Sequence, residues 1–223
     1  MRIAVIIPAR NEAENIEQTL HSLQSWRQRG HQVMLVDGGS SDATVERARS
    51  LTDLVLESEP GRAQQMNIGA ENADAEIFLF LHADTQIEPD ADQLIIDAVT
   101  GGCGWGRFSV GFNNRAIIFK VIASLMNLRS CITSIATGDQ AIFVEQALFN
   151  QVGRYPAQPL MEDIQLSINL RRQQRACCLQ SRVITSARRW QQKGIVRTVA
   201  LMWMLRLGYF FGISAQSLKR WYD

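Results

Sequence analysis

Four short polar clusters carry the chemistry this sequence can do: Arg10-Asn11-Glu12, Asp37-Gly38-Gly39-Ser40, Pro60-Gly61-Arg62 and His82-Ala83-Asp84. A carboxylate such as Asp37 can accept hydrogen bonds from a nucleobase or ribose. Arg62 can fork onto a phosphate, and Asp84 offers hard oxygens to a divalent ion bridging two phosphates. The sequence holds neither a Gly-x-Gly-x-x-Gly turn after its first apolar run nor a Gly-x-x-x-x-Gly-Lys-Ser/Thr loop, so a dinucleotide site of the usual kind and a P-loop are both unsupported. A nucleoside-diphosphate donor held by other means remains. Further on, Glu162-Asp163 opens an amphipathic stretch. Carboxylates there suit the helix dipole, and one of them can also take the proton of an attacking hydroxyl.

Each cluster needs an element to hold it. Residues 3–7 are a continuous apolar run ended by Pro8, the pattern of a strand buried on both faces. Residues 33–36, 54–56 and 77–81 are further strands, each followed by polar residues. Between them lie helical patterns: Ile16, Leu20 and Leu23 on one stripe with Trp26 a turn on, then residues 42–49 with Ser40 or Ser41 available as cap, then residues 62–72. Strands alternating with helices predict a parallel sheet covered on both faces, whose polar strand tails converge beyond the carboxyl ends. Past residue 100 the rhythm changes. Strands are expected at 105–112, 141–144 and 177–184, and helices at 116–128, 145–151, 162–172 and from about 195 to 211. No repeat or linker appears, which leaves only a soft boundary near residue 100.

The chain has 223 residues, 46% hydrophobic and 20% charged, which excludes a disordered or low-complexity protein. Its net charge of +1 conceals a division: residues 1–100 hold 17 acidic and 7 basic side chains, residues 101–223 hold 5 and 16. An anionic partner for the second half follows, phosphates or an anionic lipid surface rather than nucleic acid. Cys103, Cys131, Cys177 and Cys178 lack metal-ligand spacing, and adjacent Cys177 and Cys178 point to opposite faces of a strand. They read as small core residues of a cytoplasmic protein, and the quickly charged start does not read as a secretory signal. The apolar stretch 198–215 is interrupted by Arg206 and too short for a spanning helix. It reads as an interfacial helix with Trp203, Tyr209 and Phe210 as anchors, which would hold the protein peripherally at the inner face of the cytoplasmic membrane. The competing reading is a core or homodimer helix.

Taken in order, these pieces resemble the family 2 glycosyltransferases. Ile3-Ala4-Val5-Ile6-Ile7-Pro8-Ala9-Arg10-Asn11-Glu12 is similar to their opening strand and loop, Val36-Asp37-Gly38-Gly39-Ser40-Ser41-Asp42-Ala43-Thr44 to their second motif, Leu81-His82-Ala83-Asp84-Thr85 to their metal-binding segment, and Glu162-Asp163 to their acidic pair. The resemblance covers residues 3 to about 190. It implies an α/β fold, a single nucleotide-sugar-binding domain of the glycosyltransferase A type with a mixed, mainly parallel sheet flanked by helices. That domain would span 1–190, with a nucleotide-binding half over 1–100 and an acceptor-binding half over 101–190, and a C-terminal amphipathic helical appendage over 191–223.

The implied activity is transfer of a sugar, with inversion, from a nucleotide-diphosphate sugar to a hydroxyl of a small or lipid-linked acceptor, assisted by Mn2+ or Mg2+. By the same resemblance Glu12, Asp37 and Arg62 line the nucleotide site, Asp84 meets metal and diphosphate, and Asp163 is the base with Glu162 beside it. Gly138-Asp139-Gln140 is similar to the segment facing the acceptor, which brings in Asp139 and Gln140. Arg188-Arg189-Trp190 is similar to a tail motif that closes over the donor, which brings in Arg189 and Trp190. Two departures matter. The Gln usually upstream of that tail is Ala187 or Ser186, so processivity is not implied; and the familiar Asp-x-Asp is His82-Ala83-Asp84, which leaves His82 open between metal ligand, donor contact and plain strand-end residue. A subgroup of compact bacterial transferases of poorly defined substrate is similar over residues 80–85 and at Arg189-Trp190. A sugar-phosphate nucleotidyltransferase is the first alternative, although no Gly-rich basic loop follows the first strand; a non-catalytic sugar-nucleotide or lipid-binding protein is the second.

Overall fold

Strand β1 (Ile3–Ala9) buries all seven of its side chains, because alternate residues feed two different cores. Ile3, Val5 and Ile7 enter one hydrophobic cluster, and Ala4 and Ile6 enter another on the opposite face. The computed structural model describes residues 1–222. The expectation placed on the Arg189 side chain lies outside the described residues.

After β1 come helices α1 (Ile16–Ser22) and α2 (Gln24–Gln28), strand β2 (Gln32–Asp37), α3 (Thr44–Ala48), β3 (Leu54–Glu57), α4 (Arg62–Glu71), β4 (Ile77–Phe80), the short β5 (Thr85–Gln86) and α5 (Ala91–Thr100). The second half holds β6 (Trp105–Phe112), α6 (Ile117–Thr133), a 3-10 turn at Gly138–Gln140, β7 (Ile142–Glu145), α7 (Gln146–Gln151), α8 (Glu162–Arg171), β8 (Cys177–Thr185), α9 (Arg188–Lys193), α10 (Ile195–Phe210) and α11 (Ala215–Tyr222). One sheet takes in all eight strands in the order β3-β2-β1-β4-β7-β6-β8-β5. β1 pairs in parallel with β2 and β4, β2 with β3, and β6 with β8. β7 runs antiparallel between β4 and β6, and β5 antiparallel to β8. The β4–β7 pairing carries the sheet straight across residue 100.

The differences from the sequence reading have local causes. The helix expected from Ile16 through Trp26 breaks at Leu23, whose conformation ends α1 and starts α2. Neither Ser40 nor Ser41 caps α3: its cap position is Ala43, and Ser40 is taken by Asp37 instead. Helix α6 continues to Thr133, one turn beyond expectation, ending where Ser134 turns left-handed at φ 52°.

The cysteines are corrected. They are not isolated core residues but two bridges, Cys103–Cys177 and Cys131–Cys178, with Cα–Cα separations of 6.3 and 5.8 Å. The alternation that sends Cys177 and Cys178 to opposite faces of β8 is what lets each meet a different partner, one just before β6 and one on α6. Thiol titration of the protein unfolded without reductant should find no free thiol, and all four only after reduction; four reactive thiols before reduction would remove both bridges.

Candidate active site

Beyond the carboxyl ends of β1, β4, β6 and β8 lies a cleft of about 650 Å³. One end is walled by Glu12 from the β1 loop, Arg62 at the start of α4, and His82 and Asp84 from the β4 loop. Its far wall brings Asp139, Glu162, Asp163 and Trp190 into the same space. Residues separated by more than 170 positions thus face one cavity, as expected where parallel strands end.

Two of the residues singled out in the sequence do not line it. Asp37 is buried, and its carboxylate is spent on its own turn: Oδ2 accepts from the Gly39 and Ser40 amides at 3.1 and 2.9 Å, and Oδ1 from the Ser40 hydroxyl. Ser40 Oγ in turn accepts from the Asn11 amide at 2.9 Å, and Asn11 Oδ1 accepts from the Ser41 amide at 2.8 Å. Asp37 therefore locks the β2 loop to the β1 loop that carries Glu12. Gln140 is fully buried, giving Nε2 to Ser130 and Asn127 at 2.9 and 3.2 Å while Oε1 accepts from the Thr137 amide at 3.2 Å. It closes the turn that presents Asp139.

The remaining groups have distinct environments. Glu12 accepts from Asn15 at 2.8 Å and pairs with Arg188 at 3.3 Å, and Arg188 also reaches Glu14 at 3.1 Å. The segment after β8 is thereby tied to the first loop, and Trp190 stacks edge-on to Phe112 with ring centroids 5.6 Å apart. Among the described residues Asp84 receives only a long 3.4 Å hydrogen bond from Thr85, so its oxygens remain open to the cleft. Burial and the Arg62 guanidinium push the His82 imidazole down to about 3, leaving it neutral. Burial raises Asp139, opposed by the Thr137 hydroxyl. Asp163 Oδ2 accepts from the Gly138 amide at 2.8 Å and Oδ1 from the Ile164 amide at 2.7 Å, fixing the carboxylate between α8 and the Gly138–Gln140 turn. Burial, then the neighbouring Asp163 charge, holds the Glu162 carboxyl well above the usual carboxylate range.

No group of three or more His, Cys, Asp or Glu side chains gathers into a metal cage among the described residues. Asp84 alone fits the other way of holding Mg2+ or Mn2+, with one carboxylate and the oxygens of substrate phosphates. Sequence reasoning missed Gln65, Arg129 and Arg206, which also line the cleft. The signal for the two arginines was present, since each is a lone charge inside a mostly apolar helical stripe.

A model of the family described as Glycosyl transferase family 2 matches residues 4–143, taking in the β1, β2 and β4 loops and the Gly138–Gln140 turn. The chain belongs to glycosyl transferase family 2. It is 35% identical over 91 residues to the glycosyltransferase AglE of Haloferax volcanii, covering 37% of this chain and 30% of that protein. It is 28% identical over 188 residues to the poly-beta-1,6-N-acetyl-D-glucosamine synthase of Staphylococcus epidermidis, covering 75% of this chain and 45% of that one. This chain thus spans less than half the length of either relative. Among solved structures, the mannosyltransferase PcManGT of Pyrobaculum calidifontis in complex with GDP-Man and Mn2+ superposes with a TM-score of 0.65 at 19% identity, over 82% of this chain and 56% of that one. At that identity the likeness is one of fold.

Gly138 offers a direct test of the turn it opens. A Cβ built there would lie 2.5 Å from His82 Nε2, so the turn and the imidazole are in contact only because position 138 has no side chain. Gly138→Ala should lower kcat by about 100-fold, the cost of misplacing a reacting group by roughly 1 Å. Wild-type kcat in that variant would separate the turn from the chemistry.

Proposed function

We propose that the protein transfers a sugar, with inversion, from a nucleoside-diphosphate sugar held against Arg62 and Asp84 to a hydroxyl of a sugar or lipid-linked acceptor that enters from the α6–α10 side. The observation that carries this reading is the single cleft in which an open carboxylate at Asp84, the Arg62 guanidinium and the Glu162–Asp163 pair face one another. A Mn2+ or Mg2+ ion would be held by Asp84 and would offset charge on the leaving diphosphate. Arg62 binds and orients the phosphates, and Asp163, fixed by two amides, accepts the proton of the attacking hydroxyl. A single displacement from the face opposite the nucleotide inverts the anomeric carbon.

Asp163→Asn keeps the volume and the Ile164 amide contact while removing the base and the Gly138 amide contact, so kcat should fall by about 10²–10⁴-fold with donor affinity unchanged. Glu162→Gln is the control. Because the fold raises the Glu162 pKa, its neutral form is stabilised and is lost as pH rises through that value. In the wild type the transfer rate should therefore change across the near-neutral range, and Glu162→Gln should flatten that limb with a smaller loss of kcat. A larger loss for Glu162→Gln than for Asp163→Asn reverses the assignment.

No helix among the described residues is long and apolar enough to cross a membrane. Yet α6 and the end of α10 leave large apolar side chains in solvent, with Ile117 77%, Ile132 63%, Phe210 82% and Phe211 77% exposed. Arg115, Lys120, Arg197 and Arg220 are exposed around them. This face supports attachment to an anionic membrane surface, each basic side chain adding about 1 kcal/mol within a Debye length. Co-sedimentation with anionic vesicles should occur at low salt and weaken at high salt. No sedimentation at low salt, with a stable dimer in solution, assigns the face to a second copy of the chain.

A further inference from the structure

The acceptor wall of the cleft contains a charge that donor binding and base catalysis leave unexplained. Helix α6 lines the cleft with Leu125 and Met126 and then, one turn on, with Arg129; α10 does so with Met202 and Trp203 and then Arg206. Each helix therefore sets an arginine within or at the end of an apolar stripe. Arg129 Nη1 donates to the Ile135 carbonyl at 3.2 Å, whereas its Nε and Nη2 are buried with no hydrogen-bond partner among the described residues. Those two nitrogens lie along one edge of the planar guanidinium, the edge that forks onto an oxyanion. Burial pushes Arg129 down to about 10, so it is still cationic at neutral pH. Arg206 repels that charge, and Asp139 and Asp163 attract it, so the second arginine and the acidic floor both lie within electrostatic reach. A buried guanidinium edge with nothing to bond is costly unless a ligand satisfies it.

The geometry points to a phosphate subsite in which Arg129 and Arg206 hold a phosphate of an amphiphilic acceptor, its apolar tail lying between α6 and α10 and its reacting hydroxyl toward Asp163. The inference rests on the transferase reading above and names its acceptor class. A tetrahedral phosphate presents oxygens to two guanidiniums at once, whereas one bidentate fork uses both oxygens of a carboxylate. The reaction balances without a further reagent. The acceptor oxygen forms a bond to the anomeric carbon, the bond from that carbon to the diphosphate oxygen breaks with its electron pair, and the hydroxyl proton passes to Asp163.

Octyl phosphate, below its aggregation concentration, is the probe, with binding read from the fluorescence of the cleft-lining Trp190 and Trp203 and checked by calorimetry. It should bind at least about tenfold more tightly than inorganic phosphate, octanoate or octyl glucoside, the margin expected of a charge-assisted pair combined with a buried tail. Arg129→Met and Arg206→Met should each weaken octyl phosphate by about tenfold while leaving nucleoside diphosphate binding unchanged. Should Arg129→Met fail to fold, Arg206→Met carries the test. Equal binding of octyl glucoside or octanoate overturns the phosphate assignment, and equal binding of inorganic phosphate overturns the tail. Octyl phosphate affinity unaffected by either substitution overturns the subsite. Octyl phosphate bound as expected by a protein that binds no nucleotide sugar would support the subsite and count against the transferase reading instead.

Discussion

One buried amide holds the floor of this molecule together. Gln65 Nε2, on α4, donates to the Ala9 carbonyl at 2.9 Å and to the Val36 carbonyl at 2.8 Å. The Ala9 carbonyl, at the end of β1, also accepts from the Gly38 amide at 2.9 Å, so the Gln65 side chain reinforces from α4 the place where β1 and β2 part. Gly38 sits so close that a Cβ there would fall 3.0 Å from the same nitrogen. The splayed strand ends are thus fixed from below, and the loops they release are fixed from above by Asp37, Ser40 and Asn11. Loss of the Gln65 contacts would take a buried donor from each carbonyl, leave Ala9 with the Gly38 amide alone, and loosen the tie between both loops and α4.

The far wall of the cleft depends on a different kind of restraint. Its turn is hung between α6, through Gln140 and Ser130, and α8, through Gly138 and Asp163. The Asp163 carboxylate therefore positions the turn opposite it. Strand β8, bridged on both faces near its start, shifts register against β6 between Phe108 and Ser109 before delivering Thr185 and Ser186 to the cleft.

Much of this was legible in the sequence because it follows from periodicity. The apolar run of β1, the strand-helix alternation up to β4, and the polar tails of those strands need only local pattern, and they locate one end of the cleft. What could not be read were pairings set by tertiary distance. Nothing local shows that Cys177 and Cys178 find partners on separate elements, or that Asp37 spends its oxygens on the turn instead of facing the cleft. Helix α11 and the two-residue β5 were missed for a related reason: β5 is defined only by its pairing with β8, and α11 buries little beyond Leu218. Arg129 shows the reverse case. Its charge inside an apolar stripe was visible, but its meaning depends on which of its nitrogens the fold leaves without a partner.

The neutral His82 gives the cleft a division of labour with respect to protons. It is the single imidazole among the residues lining the cavity, and the burial and the arginine that discharge it act well below neutrality. A shift of pH between about 5 and 8, the range in which an ordinary histidine changes charge, therefore passes it by. The group that responds there is Glu162, on the opposite wall. Acidification of the surroundings would register at the Glu162 carboxyl, while the imidazole across the cleft stays electrically silent.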